Sequence, residues 1–494
     1  MHTLHIRTRN LHLDSGEIVP AVVHCTPGKP LEIDFDTLAS ADLILPDAFH
    51  LALARTDPHV HFRESYVPTR EEFEADPHHR QEQDYHQLIG KIQAQNQNYS
   101  VFRGSLAALK GGVWLAGCMG NTLWGPIGEN RWRLMDRHYQ RRAWIFTHVF
   151  PSMEPEVPPI PGQEEKDFGS TYGGQGLSRE IRREMYLSRM GGMVSYHNDQ
   201  PRPDMDILTF KQKENPPDIL LHHLYYDGET VLAAEREALA LARVAKLKRL
   251  LTRHIPTGPG LDFILRSRTV EQTELPAEIG LDYLYFNRDM LPERSTSLFN
   301  YRRPALPSAE DQAELIALTL ECARKRDPLT FIGSDHAPHT IAGKAFRENG
   351  LPGNPGTRVI EHTHQILMHL QQKYGYSHAD LDWLTSVVPA KYIAQYRSFP
   401  FPVGTMTAGA MANLVAFHPQ ENYTVNEPRL RTQLQDHEYH SAYREEALTG
   451  RVYFTVVHGV VFDVTSEITP LNMVRDEIGN LFCSSTGIQN QIHI

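Results

Sequence analysis

No stretch of this 494-residue sequence stays apolar for long. The longest runs, such as VWLAGCM (113–119), fall far short of the about 20 residues a membrane span needs. A role in the membrane is therefore not expected. Cysteine is scarce too: Cys25, Cys118, Cys322 and Cys483 stand apart, without C-x-x-C spacing, which implies free thiols in a reducing, cytoplasmic setting. The opening MHTLHIRTRN has no apolar core of the kind a secretory leader carries. Positive charge is in deficit, with Lys+Arg 49 against Asp+Glu 60 and a net charge of −11, so no nucleic-acid surface is expected. Internal repeats, low-complexity tracts, a P-loop, a dinucleotide fingerprint and a serine-nucleophile motif are all missing from the sequence.

What is present is material for a sizeable core, with 40% hydrophobic and 22% charged residues. Histidine is the outlier at 27. Some of these belong to polar surface stretches such as DPHHRQEQDYH (76–86), so position has to decide which bind anything.

The texture changes twice along the chain. Up to about residue 52 short alternating runs read as strands: HTLHIRTRNLHL, EIVPAVVHC and, after a PGK turn, LILPDAFHLAL. From 53 to 399 apolar strand-like runs alternate with longer helical ones. GGVWLAGCMGNT, RAWIFTHVF, GGMVSYH, LKRLLTRHI and DPLTFIGSDH are the strands; residues 229–251 and 308–326 are helices, the second with Ser308 as its cap. The proline-rich FPSMEPEVPPIPGQ (150–163) reads as an irregular loop. Beyond Pro400, short strands return in ANLVAFHP, RVYFTVVHGVVFDVT and EIGNLFCSS. The expected fold is α/β: a (β/α)8 TIM-type barrel over 53–399, with a small β-rich domain built from 1–52 and 400–494.

In such a barrel the active site gathers at the C-terminal ends of the strands. Several histidines and carboxylates fall there. In DPHVHFRE (57–64), His59 and His61 are two apart, so on a strand they share a face and can hold one metal. Arg63, two further on, extends that face as a fixed cation suited to a carboxylate. Asp57 reads as a supporting or turn residue rather than a ligand. In FIGSDHAPHT (331–340), an apolar run ends at Ser334-Asp335, followed by His336 and His339; a strand-end aspartate can bind metal and move a proton. His197 and His254 each close a strand-like run.

The order His-x-His, His, His, Asp resembles the amidohydrolase superfamily, and the motifs resemble dihydroorotases in particular. They stand here as His59-Val60-His61-Phe62-Arg63, Met119-Gly120-Asn121-Thr122 and Asp335-His336-Ala337-Pro338-His339, with further similarity in YFNRDML (285–291) and GNPGT (353–357). The likeness covers about residues 50 to 420, and its most specific element is D-x-A-P-H. It implies two zinc ions, one held by His59, His61 and Asp335, the other by His197 and His254. The implied bridge is a carboxylated Lys166, with Asp167 as the alternative, in a charged segment beside the proline-rich loop. Arg63, Asn121 and His339 would hold the substrate's carboxylate, and the loop Ser170-Thr171 would cover it. The implied reaction is reversible hydrolysis of dihydroorotate to N-carbamoyl-aspartate by a metal-bridging hydroxide, with Asp335 as general acid and base. A homodimer is a further expectation of the resemblance.

The sequence departs from that family at four places. Gly120 stands where a proline is usual, Asn198-Asp199 follow His197, and residues 65–100 form a polar, His-rich insertion suited to a lid or an interface. Arg302 and Arg303 occupy a segment that is apolar in the similar proteins, making Arg303 a candidate specificity residue. Two alternatives to a dihydroorotase stay open: a hydantoinase- or allantoinase-like cyclic amidase, and a non-catalytic assembly partner.

Overall fold

The computed structural model describes residues 1–36, 39–78, 84–168, 177–197, 228–291, 301–345, 353–425, 441–444, 446–478 and 481. Thr171, Ser170, Asn198, Asp199 and Cys483 lie outside the described residues.

Both ends of the chain contribute to one nine-stranded sheet. Its N-terminal members are β1 (Leu4–His12), β2 (Ile18–Cys25), β3 (Glu32–Asp34), β4 (Leu43–Ile44) and β5 (His50–Leu53). The C-terminal members, numbered after the eight central strands, are β14 (Leu414–Tyr423), β15 (Leu448–Val457), β16 (Val460–Asp463) and β17 (Thr469–Pro470). The halves join where β14 pairs antiparallel with β5, Leu414 opposite Leu53. Alternating side chains from both halves, among them Ile6, Leu11, Val23, Leu51, Leu414 and Val456, fill a core of their own.

The central strands are all parallel. One arc comprises β6 (Arg55–Val60), β7 (Val113–Met119) and β8 (Phe146–Phe150). The other runs β9 (Glu164–Asp167), β10 (Met193–His197), β11 (Arg249–Ile255), β12 (Ala277–Gly280) and β13 (Thr330–Gly333). Single parallel bridges join the arcs at both seams, Ser152 to Lys166 and Val60 to His336. The eight strands thus follow one another in chain order; helices connect them except between β8 and β9, where the proline-rich 151–163 is a loop. β7 is buried along its whole length, which its unbroken apolar sequence anticipates, because parallel strands are covered on both faces. Gly117 lets β6 and β7 approach: a Cβ there would lie 2.4 Å from the Pro58 carbonyl oxygen.

One expectation needs correction. The helix foreseen over 229–251 ends at Val244; Lys246 turns the chain with a φ of +47° and β11 follows, held between β10 and β12. Of EIGNLFCSS, residues 479–480 and 482–485 lie outside the described residues; Glu477 ends the short helical turn Arg475–Glu477. Lys166 and its neighbours show how a charged segment can be interior. EEKD is a strand, and all four residues are buried despite their charge. Each carboxylate has an arginine: Glu164 with Arg253 (3.0 Å), Glu165 with Arg189 (2.7 Å), Asp167 with Arg182 (2.9 Å). Paired in this way, charges can occupy a strand position that would otherwise demand apolar residues. The 65–100 insertion contains the helices Arg70–Glu74 and Tyr85–Asn98, whose apolar residues Phe73, Leu88 and Ile92 pack with Trp124.

Candidate metal centre

At the C-terminal ends of the central strands, four histidines, one aspartate and one lysine converge. His59, next to the end of β6, points its Nε2 at Asp335 Oδ1 (3.3 Å) and Lys166 Nζ (3.2 Å). His61 Nε2 lies 3.0 Å from the same Asp335 oxygen. His254, closing β11, brings its Nε2 within 2.7 Å of His197 Nδ1 on β10. Two sets of donor atoms each lie within 4.8 Å of one another: His59, His61 and Asp335, and His59, His197 and His254. His59 belongs to both.

The chemistry of these donors suits a metal. Burial lowers the pKa of His59, His61, His197 and His254, the last to about 3, and the Lys166 cation lowers all four further. They are therefore neutral at physiological pH, with lone pairs available. His254 with His197, His61 with Asp335 and His59 with Asp335 bring donor atoms to 2.7–3.3 Å, as close as ligands that share an ion. His197 Nε2 and His254 Nδ1 are buried and accept or donate no hydrogen bond among the described residues. Asp335 is pulled both ways. Burial raises its pKa, while His254, Lys166, Arg63 and Arg302 lower it.

A second layer holds the first in place. Glu278 on β12 accepts from His59 Nδ1 (2.6 Å), from the His254 backbone N–H (3.2 Å) and, through its other oxygen, from Arg253 (2.7 Å). A carboxylate on the far nitrogen of a ligating histidine fixes its tautomer and leaves Nε2 free for metal. Neither Glu278 nor Arg253 was foreseen from sequence, although a single acid inside the apolar LPAEIGL was a signal. Asp57 accepts from the backbone N–H of His59 (3.2 Å) and of Ser334 (3.0 Å), tying β6 to the segment that carries Asp335. Burial, first among its influences, pushes Asp57 up to about 7.

Arg63 departs from the expected strand alternation. β6 ends at Val60, and Arg63 sits at a φ of +57°, in the left-handed region that non-glycine residues rarely adopt. His254 (+37°) and Asp335 (+48°) share this feature, so backbone strain gathers at the site. Arg63 is half-buried, and its guanidinium lies 3.0 Å from His339 Nε2, itself 2.9 Å from the Pro355 carbonyl oxygen. Asn121 is exposed at the end of β7, beside His61, whose protonated form it favours. Asp167 does not reach the metal donors. Neighbouring strand residues face opposite ways, and its carboxylate accepts from Arg182 and the Tyr186 hydroxyl (3.0 Å) while Lys166 turns inward. Arg303 is half-buried. Arg302 is the buried member of that pair, bonded to Asp282 and placed so that its charge lowers the Asp335 pKa.

No family model matches the chain. It is 35% identical over 119 residues to the dihydroorotase of Coxiella burnetii, covering 24% of this chain and 32% of that protein. Against the dihydroorotase of Pyrococcus furiosus it is 24% identical over 370 residues, or 75% and 77% of the two chains. A Dictyostelium discoideum protein named probable allantoinase 2 is 24% identical over 276 residues, 54% of this chain and 51% of that one. The chain spans about a third to a half of the length of the first curated relatives it matches. Among solved structures, L-hydantoinase (dihydropyrimidinase) from Arthrobacter aurescens superposes with a TM-score of 0.74 at 18% identity, over 94% of this chain and 97% of that one. Dihydropyrimidinase from Brevibacillus agri gives 0.71 at 18% identity, over 95% and 96%. The fold is that of these enzymes. Among the described residues, no helix is long and apolar enough to cross a membrane.

Proposed function

We propose that the chain is a binuclear zinc cyclic amidase whose preferred substrate is dihydroorotate, opened reversibly to N-carbamoyl-aspartate. The observation that carries this reading is the pairing of Arg63 with His339 directly beside His61 and Asp335. A half-buried guanidinium next to a metal-type donor set suits a ring that carries a carboxylate close to its scissile amide. In this reading, residues 53–399 form one (β/α)8 barrel, and 1–52 with 400–494 form the second domain.

His59, His61 and Asp335 would hold one ion, and His197 and His254 the other, with a carboxylated Lys166 between them. When bound, such ions polarise the ring carbonyl and acidify water. The protein does the rest. Arg63, His339 and Asn121 orient the ring through its carboxylate. Asp335 accepts the proton of the water that adds to the carbonyl carbon, and returns it to the ring nitrogen as the C–N bond breaks. Glu278 keeps His59 in the tautomer that leaves Nε2 facing the centre.

A second reading, a hydantoinase- or allantoinase-like amidase, draws support from the names of the structural neighbours and of the Dictyostelium relative. Ring opening of dihydroorotate, hydantoin and allantoin by the zinc-loaded protein separates the two. Turnover highest on dihydroorotate supports the first reading, and turnover confined to the uncarboxylated rings replaces it with the second. Protein that takes up no zinc after reconstitution with bicarbonate would fit only the non-catalytic partner.

A further inference from the structure

Away from the strand ends, a second group of histidines meets where the terminal sheet packs on the helix His378–Asp382. His12 comes from β1, His50 from β5, and His378 opens that helix. Nε2 of His12 lies 2.7 Å from Nδ1 of His50. Its ring centroid is 4.5 Å from that of His378, and those of His50 and His378 are 5.8 Å apart. One nitrogen from each can be chosen so that all three lie within 4.8 Å of one another. We propose that His12, His50 and His378 form an additional metal site, taking a zinc-class divalent ion on three imidazole nitrogens with a fourth position open to solvent.

Four observations support this site. First, the rings are held rather than loose: all three pack against Phe417, at 6.3, 5.6 and 5.5 Å between centroids. Second, ring nitrogens go unused. Nδ1 of His378 is buried with no hydrogen bond among the described residues, and a buried nitrogen left so is normally explained by a missing partner. His364, behind the cluster and fully buried against Phe417, likewise has neither ring nitrogen bonded. Third, burial, helped by the neighbouring histidines and Arg55, lowers the pKa of His12 and His378, in keeping with neutral donors. Fourth, there is an entry path, because His12 is buried while His50 and His378 are partly exposed. Three imidazoles with one open position form a coordination set that suits zinc, cobalt or nickel. Arg55, an adjacent cation, is paired with Asp382. Because its ligands come from the terminal sheet and from a helix after the last central strand, an ion here would clamp the two together.

The test uses the full chain, equilibrated with zinc and desalted. Wild type should retain one more zinc per chain than His378→Ala, with cyclic-amide turnover the same in both. Crystals of the wild-type protein should show anomalous density at the zinc edge among the three rings, at about 2.0–2.1 Å from their nitrogens. Should His378→Ala fail to fold, the partly exposed His50→Gln serves in its place. Equal zinc in wild type and variant, with no anomalous peak at the cluster, would overturn the inference. The strand-end site is read separately in the same map: density at the cluster alone would uphold this site while defeating the proposed function.

Discussion

Glu278 offers the sharpest perturbation of the centre, because it touches no substrate and yet holds two of the proposed ligands. Glu278→Gln keeps the shape and removes the charge. Three bonds change: to His59 Nδ1 (2.6 Å), to the His254 N–H (3.2 Å) and to Arg253 (2.7 Å). Bonds to a charged group contribute about 1.5–3 kcal/mol each when buried. Arg253 keeps Glu164 at 3.0 Å, so its charge is not stranded, and the loss should fall at or below the about 3–5 kcal/mol typical of breaking a buried pair. Supporting carboxylates on ligating histidines are worth about 10–100-fold in metal affinity, or about 1.4–2.7 kcal/mol. Competition against a chelator of known affinity, with chemical denaturation of the metal-free protein beside it, measures both quantities. The expected result is zinc affinity weaker by about 10–100-fold and a metal-free form less stable by up to about 3 kcal/mol. Affinity within about twofold of wild type would refute the claim that Glu278 sets the His59 tautomer.

Further expectations follow from the same geometry. Arg63→Met should raise KM for dihydroorotate by about 10–100-fold and leave KM for hydantoin unchanged, since only the first ring carries the carboxylate; equal effects on both rings would mean that Arg63 does not read it. His148, on β8, is held at about 3 by burial, with Arg397 and Arg253 lowering it further. The unfolded chain therefore takes a proton below pH 6.5 that the folded chain refuses. Its contribution to stability is complete above pH 6.5 and shrinks by up to about 1.4 kcal/mol per pH unit as pH falls toward about 3. Denaturation at pH 7 and pH 5 should show His148→Gln losing about 2 kcal/mol less than wild type between the two, and parallel losses would contradict this. Gly117→Ala should cost about 1–3 kcal/mol or more, because the new Cβ would lie 2.4 Å from the backbone oxygen of Pro58, which cannot swing aside; an unchanged Tm would show that β6 and β7 can spread.

The strand ends bearing His197, His254 and Asp335 could be read in the sequence because each closes an apolar run, and burial on both faces makes such runs unambiguous. β9 was much harder to read. Glu-Glu-Lys-Asp has the composition of a solvated loop, and only the arginines at 182, 189 and 253, distant in sequence, make it a buried strand. The same long-range pairing turns the Asp167 carboxylate to Arg182 and Tyr186, which no local pattern shows. Arg63 exposes a limit of alternation: His59 and His61 were placed by a period of two, but the strand stops at Val60 and a left-handed turn aims Arg63 at His339. Glu278 and Arg253 support the ligands from behind, in positions whose meaning depends on which strands are neighbours.

The most direct measurement is ring opening of dihydroorotate by zinc-loaded wild type and by Asp335→Ala, followed in the ultraviolet with zinc per chain determined on the same samples. About two zinc ions at the strand ends, with turnover reduced by about 10²–10⁴-fold or more in the variant, is the expected result. Turnover undiminished in Asp335→Ala, or none on any cyclic amide with both ions bound, would contradict it.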